Sequence, residues 1–347
     1  MAVVTHKKIF KEMQDKIFHF FGNIFEQSPI PTRVKLAIAF RLDFFLFFIT
    51  QFTHRYRRTI GEERISENFM SYVYKNNIEN DTERLTLLKK GLDSQSRLLI
   101  DRMLQRQKHV FMNNFLDLRL LTKEELKDQR INIFPIKRKY HGLGNYYGIE
   151  NFYFHCGLRL LPKTLLKKYK GKDVIDAGAA NGDTPAIFSR EYKFSKIYAF
   201  EPEENNYKEL VKNIRKFQLR NVIPIHKGVG NKKTKLKITS QSGQSYISTY
   251  GTQFVQIQTI DEFVRENKSN VGVIKMDIEG FEYNAIMGAM QTIKKYNPIL
   301  LISIYHSGKD FFEIKPLIEK LGMYTFIVRK FNPYHFFFDT MLIGIPK

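Results

Sequence analysis

Short apolar runs alternate with amphipathic segments along the second half of the 347-residue chain. Runs of four to eight apolar residues are typical of buried strands, whereas longer segments with apolar residues three or four apart are typical of helices. Strands that alternate with helices predict a doubly wound α/β sheet. The predicted strands end near residues 176, 200, 276 and 304, and the predicted helices span 185–192 and 282–295.

Residues 1–135 are predicted to form a mainly helical region. Asp93 or Ser94 can cap a helix that runs to Gln107, because short polar side chains accept bonds from the first backbone amides of a helix. Thr122-Lys-Glu-Glu125 has the capping-box pattern of a second, shorter helix.

Residues 136–160 are predicted to connect the helical region to an α/β domain at 161–347. The connecting segment holds three glycines among many aromatic residues between 140 and 154. Such a segment can be a mobile lid, a platform for a sugar ring, or a plain linker whose aromatics pack on the core.

An acidic residue and two glycines follow the apolar pair Val174-Ile175, in the order Asp176-Ala-Gly-Ala-Ala-Asn-Gly182. Glycine lets the backbone approach a ligand closely, so a strand, a glycine turn and a helix make a nucleotide-sized site. The spacing differs from the dinucleotide fingerprint Gly-x-Gly-x-x-Gly. A carboxylate beside the glycines suits a cationic ligand, since helix N-termini otherwise favour anions. S-adenosylmethionine, which carries a sulfonium and an ammonium group, fits Asp176, Gly178 and Gly182.

The next predicted strand ends at Glu201-Pro202. Nucleotide-binding units place a ribose carboxylate about 20 residues after the glycine turn, and Glu201 can accept bonds from both ribose hydroxyls. The alternative is that Glu201 only starts the next helix, where an acid favours the helix dipole. Ligands of open α/β sheets sit outside the carboxyl ends of the strands, so Lys275, Asp277 and Glu279 are expected near the same crevice.

Four motifs follow one another in the second half of the chain. They are Asp176-Ala-Gly-Ala-Ala-Asn-Gly-Asp183, Phe200-Glu-Pro202, Thr259-Ile-Asp261 and Ile274-Lys-Met-Asp-Ile-Glu-Gly-Phe-Glu282. In this order they resemble the motifs of FkbM-type S-adenosylmethionine-dependent methyltransferases. The Ile304-Tyr-His306 strand end is similar to a subgroup found in bacterial polysaccharide gene clusters, and the resemblance covers about residue 150 to the C-terminus. It implies the class I methyltransferase fold, a Rossmann-like seven-stranded sheet with an antiparallel last strand, whose final hairpin suits 324–328 and 340–344.

The resemblance implies an O-methyltransferase that acts on a sugar hydroxyl of a bacterial surface glycan or its precursor. A carbohydrate or a lipid-linked glycan is therefore the expected acceptor, and S-adenosylmethionine is the expected cofactor. The residues expected to bind the cofactor are Asp176, Gly178, Ala179, Asn181, Gly182, Glu201 and Asp277.

Candidate catalytic residues lie at the ends of two later strands. A sugar hydroxyl is a poor nucleophile until a base accepts its proton, and His306 and Asp277 are the candidate bases. Lys275 is a further candidate catalytic residue. His306 can instead be a purely structural hydrogen-bonding residue. Asp277, Glu279 and His306 together form an alternative site for a divalent metal, which related sugar methyltransferases sometimes use.

The amino-acid composition limits which classes of protein and which cellular compartment fit this chain. A single cysteine, Cys156, excludes a disulfide framework, a four-cysteine zinc site and a Cys-x-x-Cys redox pair, in agreement with the cytoplasm. The formal charge of +21 is spread over both halves of the chain. It either reflects the Lys-rich and Asn-rich usage of the genome or attracts an anionic partner such as nucleic acid, anionic lipid or a phosphorylated glycan carrier.

The apolar segment 34–52 is not expected to span a membrane. It carries Arg41 and Asp43, each of which costs about 2.5–3.5 kcal/mol at the centre of a bilayer. Lysines interrupt the first apolar stretch of the chain, so no signal peptide is expected. The segment is either a packed helix or an interfacial helix next to the basic cluster Arg55, Arg57 and Arg58, at the inner face of a membrane.

Two other classes of function remain open. A nucleic-acid methyltransferase would explain the charge, but amino-methylating enzymes of that kind usually carry Asn/Asp-Pro-Pro-Tyr/Phe where this chain has Asp277-Ile-Glu-Gly280. A base-carbon methyltransferase needs a cysteine after that strand, and Cys156 lies elsewhere. A non-catalytic cofactor-binding or regulatory module is the other alternative, which the intact glycine turn and Glu201 disfavour.

Overall fold

The computed structural model describes residues 55–57, 60–78, 82–113, 115–117, 120–128, 131, 134–143, 148–241, 244–247, 251, 253–331 and 338–347. These residues belong to one compact unit, Thr53–Lys347. The predictions for the apolar segment 34–52 and for Arg58 lie outside the described residues. The predicted domain boundaries at 135 and 160 stay predictions.

Strands and helices alternate through most of the described chain. The strands are β1 (Arg55–Arg57), β2 (Phe115–Asp117), β3 (Asp173–Ala177), β4 (Ile197–Phe200), β5 (Val222–Ile225), β6 (Gly228–Val229), β7 (Thr234–Gln241), β8 (Gln244–Ile247), β9 (Gln253–Gln258), β10 (Val271–Met276), β11 (Ile299–Ser303), β12 (Tyr324–Lys330) and β13 (Thr340–Pro346). The helices are α1 (Ile60–Lys75), α2 (Thr82–Lys89), α3 (Ser94–Asn113), α4 (Lys123–Asp128), α5 (Phe134–Lys139), α6 (Ile149–Phe152), α7 (Lys163–Lys168), α8 (Asp183–Glu191), α9 (Glu204–Lys216), α10 (Ile260–Glu266), α11 (Glu282–Met287), α12 (Met290–Tyr296) and α13 (Gly308–Glu319), with a 3₁₀ segment at His155–Leu160.

A seven-stranded sheet in the order β12-β13-β11-β10-β3-β4-β5 confirms the predicted α/β fold. The pairs β3–β4, β4–β5, β3–β10 and β10–β11 are parallel, whereas β13 runs antiparallel to both β11 and β12. The last strand is therefore antiparallel, as the resemblance implies. Every residue of β3, β10 and β11 is buried, because helices cover both faces of the central strands.

The helices that precede the sheet pack directly on its edge, which confirms a helical N-terminal region. Phe69 of α1 meets Phe311 of α13 with ring centroids 5.3 Å apart, and the Val328 amide of β12 donates to Ser96 Oγ of α3 at 2.8 Å. No helix within the described ranges combines the length and the apolar content needed to cross a bilayer. Arg55 and Arg57 lie in β1, which pairs with β2.

Two local predictions for this region have different outcomes. The capping box of α4 is confirmed, because the Glu125 amide donates to Thr122 Oγ1 at 3.2 Å and the Thr122 amide donates to Glu125 Oε2 at 2.6 Å. Helix α3 extends past its predicted end at Gln107 to Asn113. Arg106 and Gln107 are fully buried within the packed part of this helix, and Arg106 pairs with Glu125.

The predicted helix 282–295 is instead two helices, α11 and α12, separated at Gly288. A Cβ atom on Gly288 would lie 2.0 Å from the carbonyl oxygen of Gly230. The backbone before β7 therefore comes so close to this position that only glycine fits, and the chain turns there.

A second sheet in the order β6-β9-β7-β8 lies between β5 and α10 in the chain and was not predicted. Ile238, Val255 and Ile257 of this sheet form a small apolar cluster with Leu236. The three buried members of this cluster also line a cleft beside the large sheet.

Candidate functional site

A cleft opens at the carboxyl ends of β3, β4 and β10. Gly178, Glu201 and Asp277 line it together, so three of the predicted cofactor residues meet at one place. This is where open α/β sheets bind their ligands.

Glycine is required at two positions of the turn after β3. Gly178 has a φ of +80°, and a Cβ atom there would lie 1.8 Å from the carbonyl oxygen of Asp277. Gly182 has a φ of +90°, and its Cβ atom would meet Leu210 Cδ1 at 2.8 Å. The turn therefore packs tightly against the end of β10 and against α9, which shapes the floor of the cleft.

Glu201 has the position and the free acceptor capacity of a ribose ligand. Its Oε2 atom accepts the Ala180 amide at 2.8 Å and its Oε1 atom accepts the Glu203 amide at 2.9 Å. Burial raises the pKa of Glu201 to about 7, against the lowering effect of these two amides and of the Asn206 side chain. A carboxylate has about four acceptor positions, so Glu201 keeps capacity for a ribose hydroxyl, and that contact stays a prediction.

Apolar side chains of the second sheet form the opposite wall of the cleft. Ile238, Val255 and Ile257 face the turn, together with Phe281. The cleft encloses about 110 Å³, which is less than the ~300–1,000 Å³ of typical ligand sites. The acceptor groups of the cleft suit the ribose of S-adenosylmethionine, and its binding in this cleft stays a prediction.

Asp176 and Lys275 lie beneath the glycine turn as a buried ion pair. The Lys275 ammonium is 3.1 Å from Asp176 Oδ1 and donates to the Gly178 carbonyl at 2.9 Å. Burial raises the pKa of Asp176 to about 6. Burial lowers the pKa of Lys275, but the carboxylates of Asp176 and Asp277 outweigh this effect and raise that pKa. Both side chains therefore hold the turn in place, and direct contact of either with a ligand stays a prediction.

Ala179 and Asn181 contribute to the turn mainly through their backbones. The Ala179 amide donates to the Phe200 carbonyl at 2.9 Å, and the Asn181 carbonyl accepts from Asn213 Nδ2 at 2.8 Å. These bonds tie the turn to β4 and α9. A contact of Ala179 or Asn181 with the cofactor stays a prediction.

The ion pair between Lys275 and Asp176 is expected to be the main interaction that stabilises the glycine turn. Lys275→Met should leave the Asp176 carboxylate buried without a partner, at a cost of about 3–5 kcal/mol in the free energy of unfolding. The loss should be smaller at pH 5 than at pH 8, because the folded-state pKa of Asp176 is already raised to about 6 and protonation removes its charge.

Urea denaturation at the two pH values measures this effect. The double variant Asp176→Asn/Lys275→Met is the matched control and should recover part of the loss, since it leaves no unpaired charge. A single variant as stable as the parent protein at pH 8 would contradict a structural role for the pair.

Four ionisable side chains converge at the tips of β10 and β11. His306 Nδ1 lies 2.9 Å from Glu282 Oε1, and His306 Nε2 lies 3.4 Å from Asp277 Oδ1 and 3.7 Å from Glu279 Oε2. Glu279 and Gly280 both have positive φ, +56° and +98°, and this tight turn brings the Glu279 carboxylate back toward the strand tip. The prediction that His306, Asp277 and Glu279 lie at neighbouring strand ends agrees with this geometry.

Glu282 is the residue that organises the cluster. Its two oxygens accept the Ile278 amide at 2.8 Å and the Gly280 amide at 2.9 Å, while Oε1 also faces His306. Burial raises the pKa of Glu282, but the charge of His306, its hydrogen bond and the Ile278 amide outweigh it and lower that pKa. Glu282 belongs to the motif 274–282, and its spacing from Asp277 was the available signal for a site role.

Charge and exposure differ between the two candidate bases. Burial lowers the pKa of His306, but the carboxylates of Glu282, Glu279 and Asp277 outweigh it and raise that pKa to about 10. The His306 side chain is 2% exposed, whereas that of Asp277 is 26% exposed. Burial raises the pKa of Asp277 to about 6. At neutral pH His306 therefore carries its proton, and Asp277 is the accessible, ionised group.

Two further residues of this cluster escaped the sequence reasoning. The Tyr305 hydroxyl donates to Asp277 Oδ1 at 3.4 Å. Glu150, from α6, is 5% exposed, and its Oε1 atom has no hydrogen-bond partner among the described residues. Burial, and then the carboxylates of Asp339 and Asp277, raise the pKa of Glu150 well above its usual range. Glu150 lies more than 120 residues before Asp277 in the chain, so no local pattern connects them.

A divalent metal has a candidate ligand set that differs by one residue from the predicted one. Within the described part of the chain, Asp277, Glu282 and His306 offer ligand atoms that lie within 4.8 Å of one another. The prediction had Glu279 in place of Glu282. Oxygen and imidazole donors suit a divalent cation, and the metal stays a prediction.

Comparisons with known proteins agree with this architecture. Residues 176–328 match the family model of the methyltransferase FkbM domain. The structure of methyltransferase FkbM from Methylobacillus flagellatus KT matches with a TM-score of 0.51 at 20% identity, over 78% of this chain and 60% of that one. This chain thus spans less than two thirds of that protein, and the likeness shows the fold. The comparison with curated proteins gives no significant match.

More distant structural matches come from two other methyltransferase groups. An rRNA methylase from Streptococcus thermophilus matches with a TM-score of 0.34 at 15% identity, over 53% of this chain and 91% of that one. A putative caffeoyl-CoA O-methyltransferase from Staphylococcus aureus matches with a TM-score of 0.39 at 11% identity, over 65% and 97% of the two chains.

The sheet order, the glycine turn and the cleft at the strand ends define a class I methyltransferase fold. Within this class, the segment 176–328 matches the methyltransferase FkbM domain, which supports a methyltransferase with S-adenosylmethionine as its cofactor.

Proposed function

We propose that the protein is an S-adenosylmethionine-dependent O-methyltransferase that acts on a sugar hydroxyl of a bacterial surface glycan or its precursor. The observation that carries this proposal is the position of Asp277. Asp277 lines the cofactor cleft, and its side chain contacts Tyr305 and His306, so this residue joins the cleft to the ionisable cluster. A base at the rim of a methyl-donor site is what a hydroxyl acceptor requires.

The residues of the cluster have different roles in the proposed reaction. Bound S-adenosylmethionine would supply a methyl group to the acceptor oxygen by in-line displacement, as the carbon–sulfur bond breaks. Asp277 then accepts the hydroxyl proton, because it is the accessible and ionised carboxylate. His306 keeps its own proton between Glu282 and Asp277, where it holds the Asp277 carboxylate in place. Positioning of the acceptor supplies much of the rate.

Glu201 predicts a pH dependence of cofactor affinity. Its folded-state pKa is raised to about 7, and the ionised form accepts two ribose hydroxyls better than the protonated form. The affinity for S-adenosylhomocysteine should therefore be highest above pH 7 and fall as pH drops below it. Calorimetric titration between pH 5.5 and 8.5 measures this change.

The Glu201→Gln variant is the control for that experiment. Glutamine keeps the shape but does not titrate, so the affinity should be weaker by roughly 1.5–3 kcal/mol and lose its dependence on pH. An unchanged pH profile in this variant would assign the titration to another group.

Incubation of the protein with labelled S-adenosylmethionine and candidate acceptors tests the proposed reaction. Label should enter glycan precursors in an alkali-stable ether, and RNA of the same molar amount should remain unlabelled. Label in RNA instead would favour a nucleic-acid methyltransferase. Activity that disappears with a chelator and returns with magnesium would show that Asp277, Glu282 and His306 hold a metal.

The cytoplasmic location and the contact with anionic membrane through Arg55, Arg57 and Arg58 remain proposals. The single cysteine supports the cytoplasm, and the net charge of +21 with the basic cluster beside the apolar segment 44–49 supports the membrane contact. Salt-sensitive sedimentation with anionic vesicles, absent in a variant with the three arginines replaced by Gln, would bear out the membrane contact.

A further inference from the structure

A second cavity lies near the start of β4, away from the carboxyl ends of the strands. It encloses about 590 Å³ between α5, the 3₁₀ segment, α7 and the end of α8. Helix α8 begins at the glycine turn and ends at this cavity, a length of about 13 Å for its nine residues. None of the residues that line the cavity also lines the cofactor cleft.

The rim of the cavity is strongly basic. Glu191 is the one carboxylate among the lining residues, and it pairs with Lys139 at 2.5 Å. The remaining cations therefore face the cavity with no carboxylate among the lining residues left to neutralise them. The six basic residues of the rim are Lys139, Arg159, Lys163, Lys167, Lys170 and Lys193.

Three of these lysines lie along one side of α7 and the turn after it. Lys163 and Lys167 are separated by one helical turn, and Lys170 follows three residues later; all three are exposed. Like charges at this spacing repel each other and destabilise a helix. Bound anionic groups would offset that repulsion.

The floor of the cavity is apolar and aromatic. Phe152, Tyr192 and Phe194 lie there, with Leu161 and Leu166 beside them. Tyr192 and Phe194 stack with ring centroids 5.5 Å apart. Such a floor accepts a ring or an apolar body, whereas a bare inorganic anion would leave it exposed to water.

Backbone strain marks the wall formed by the 3₁₀ segment. His155, Cys156 and Gly157 have consecutive positive φ values of +52°, +53° and +99°. Two of these residues are not glycine, and left-handed conformations of such residues gather at ligand sites. His155 lines the cavity and its Nδ1 lies 2.9 Å from the Tyr192 hydroxyl.

We propose that this cavity binds an organic phosphate, with the phosphate on the lysine rim and the organic body on the aromatic floor. The site is distinct from the methyl-transfer site and does not rest on the proposed function. A soluble nucleotide and a phospholipid headgroup both carry a phosphate on an organic body. The experiment distinguishes these two sources of the ligand.

Titration of the full chain with uridine diphosphate tests the soluble source. Saturating S-adenosylhomocysteine keeps the cofactor cleft filled, and a pyrimidine avoids recognition of adenine. Replacing Lys163, Lys167 and Lys170 by Gln should weaken binding about tenfold or more, the usual effect of losing one charge-assisted bond. Lys232, Lys233 and Lys235, exposed residues at the start of the second sheet, give a control variant with the same change in charge and no expected effect.

Two further probes complete the test. Inorganic pyrophosphate should bind more weakly than uridine diphosphate, because it leaves the aromatic floor uncovered. Equal affinity would contradict a site for an organic phosphate. Binding to phosphatidic acid vesicles that the cavity variant loses and the control variant keeps would support the proposal with a lipid source.

The proposal fails if neither uridine diphosphate nor these vesicles bind. It also fails if both triple variants lose binding equally, because the effect is then one of overall charge. Binding of single-stranded RNA through the same three lysines, without binding of uridine diphosphate or vesicles, would replace it with a nucleic-acid surface.

Discussion

Turnover is expected to fall about 10²–10⁴-fold when Asp277 is replaced by Asn. Asparagine keeps the size of the side chain and its contact with Tyr305, but it cannot accept the proton of the acceptor hydroxyl. Asp277 is partly exposed at the rim of the cleft, so the variant should fold normally. Steady-state kinetics with the acceptor found by the labelling experiment measures the effect.

Glu279→Gln is the matched control, because it removes a neighbouring carboxylate that also faces His306. Its turnover should stay within a few-fold of the parent protein. His306→Gln tests the rival base. A loss of 10²–10⁴-fold in that variant, with near-normal turnover in Asp277→Asn, would assign the proton to His306 and overturn the present mechanism.

The Gly178→Ala variant is expected to lose the stabilisation that S-adenosylhomocysteine gives to the parent protein. That stabilisation is about 2.7 kcal/mol at a hundredfold excess of ligand over its dissociation constant. A Cβ atom at Gly178 would lie 1.8 Å from the Asp277 carbonyl, so the turn has to move away from β10 and change the floor of the cleft. Thermal unfolding with and without ligand measures the shift.

Gly171→Ala separates this effect from backbone strain. Gly171 has a φ of +76°, close to that of Gly178, but no atom lies within 4 Å of its Cβ position. Both variants therefore incur the cost of a positive φ, and only Gly178→Ala also meets a steric clash. A normal ligand-induced shift in folded Gly178→Ala would move the cofactor site away from the glycine turn.

The local signals of the sequence were sufficient for much of the fold. Apolar runs that end at Asp176, Glu201 and Asp277 correctly located the ends of three parallel strands, because buried strands must be apolar and their carboxyl ends carry the ligand groups. The final antiparallel hairpin was implied by the family resemblance, and its two apolar runs agree with it. The second sheet was missed because polar and apolar residues are interspersed in β7 and β9, whereas the prediction relied on continuous apolar runs.

The candidate site was also predicted only in part. The motif around Lys275 and Asp277 marked the correct strand end, but the sequence did not show that Lys275 lies under the glycine turn and that Asp277 lies at its rim. Residues two apart in a strand share one face, but β10 ends at Met276, so the packing of the neighbouring turn decides which of Lys275 and Asp277 a ligand can reach.

The sequence alone determined the class of the fold and the glycine turn, because the alternation of apolar runs and amphipathic segments predicts a doubly wound sheet and the turn depends on residues within one strand–turn–helix unit. Tertiary structure alone decided the raised pKa of His306, the burial of Glu150 and the basic cavity at the far end of α8. These features depend on burial and on charges brought together from distant segments. The burial of a group and the charges around it both depend on distant parts of the chain, so neither can be inferred from the spacing of residues along the sequence.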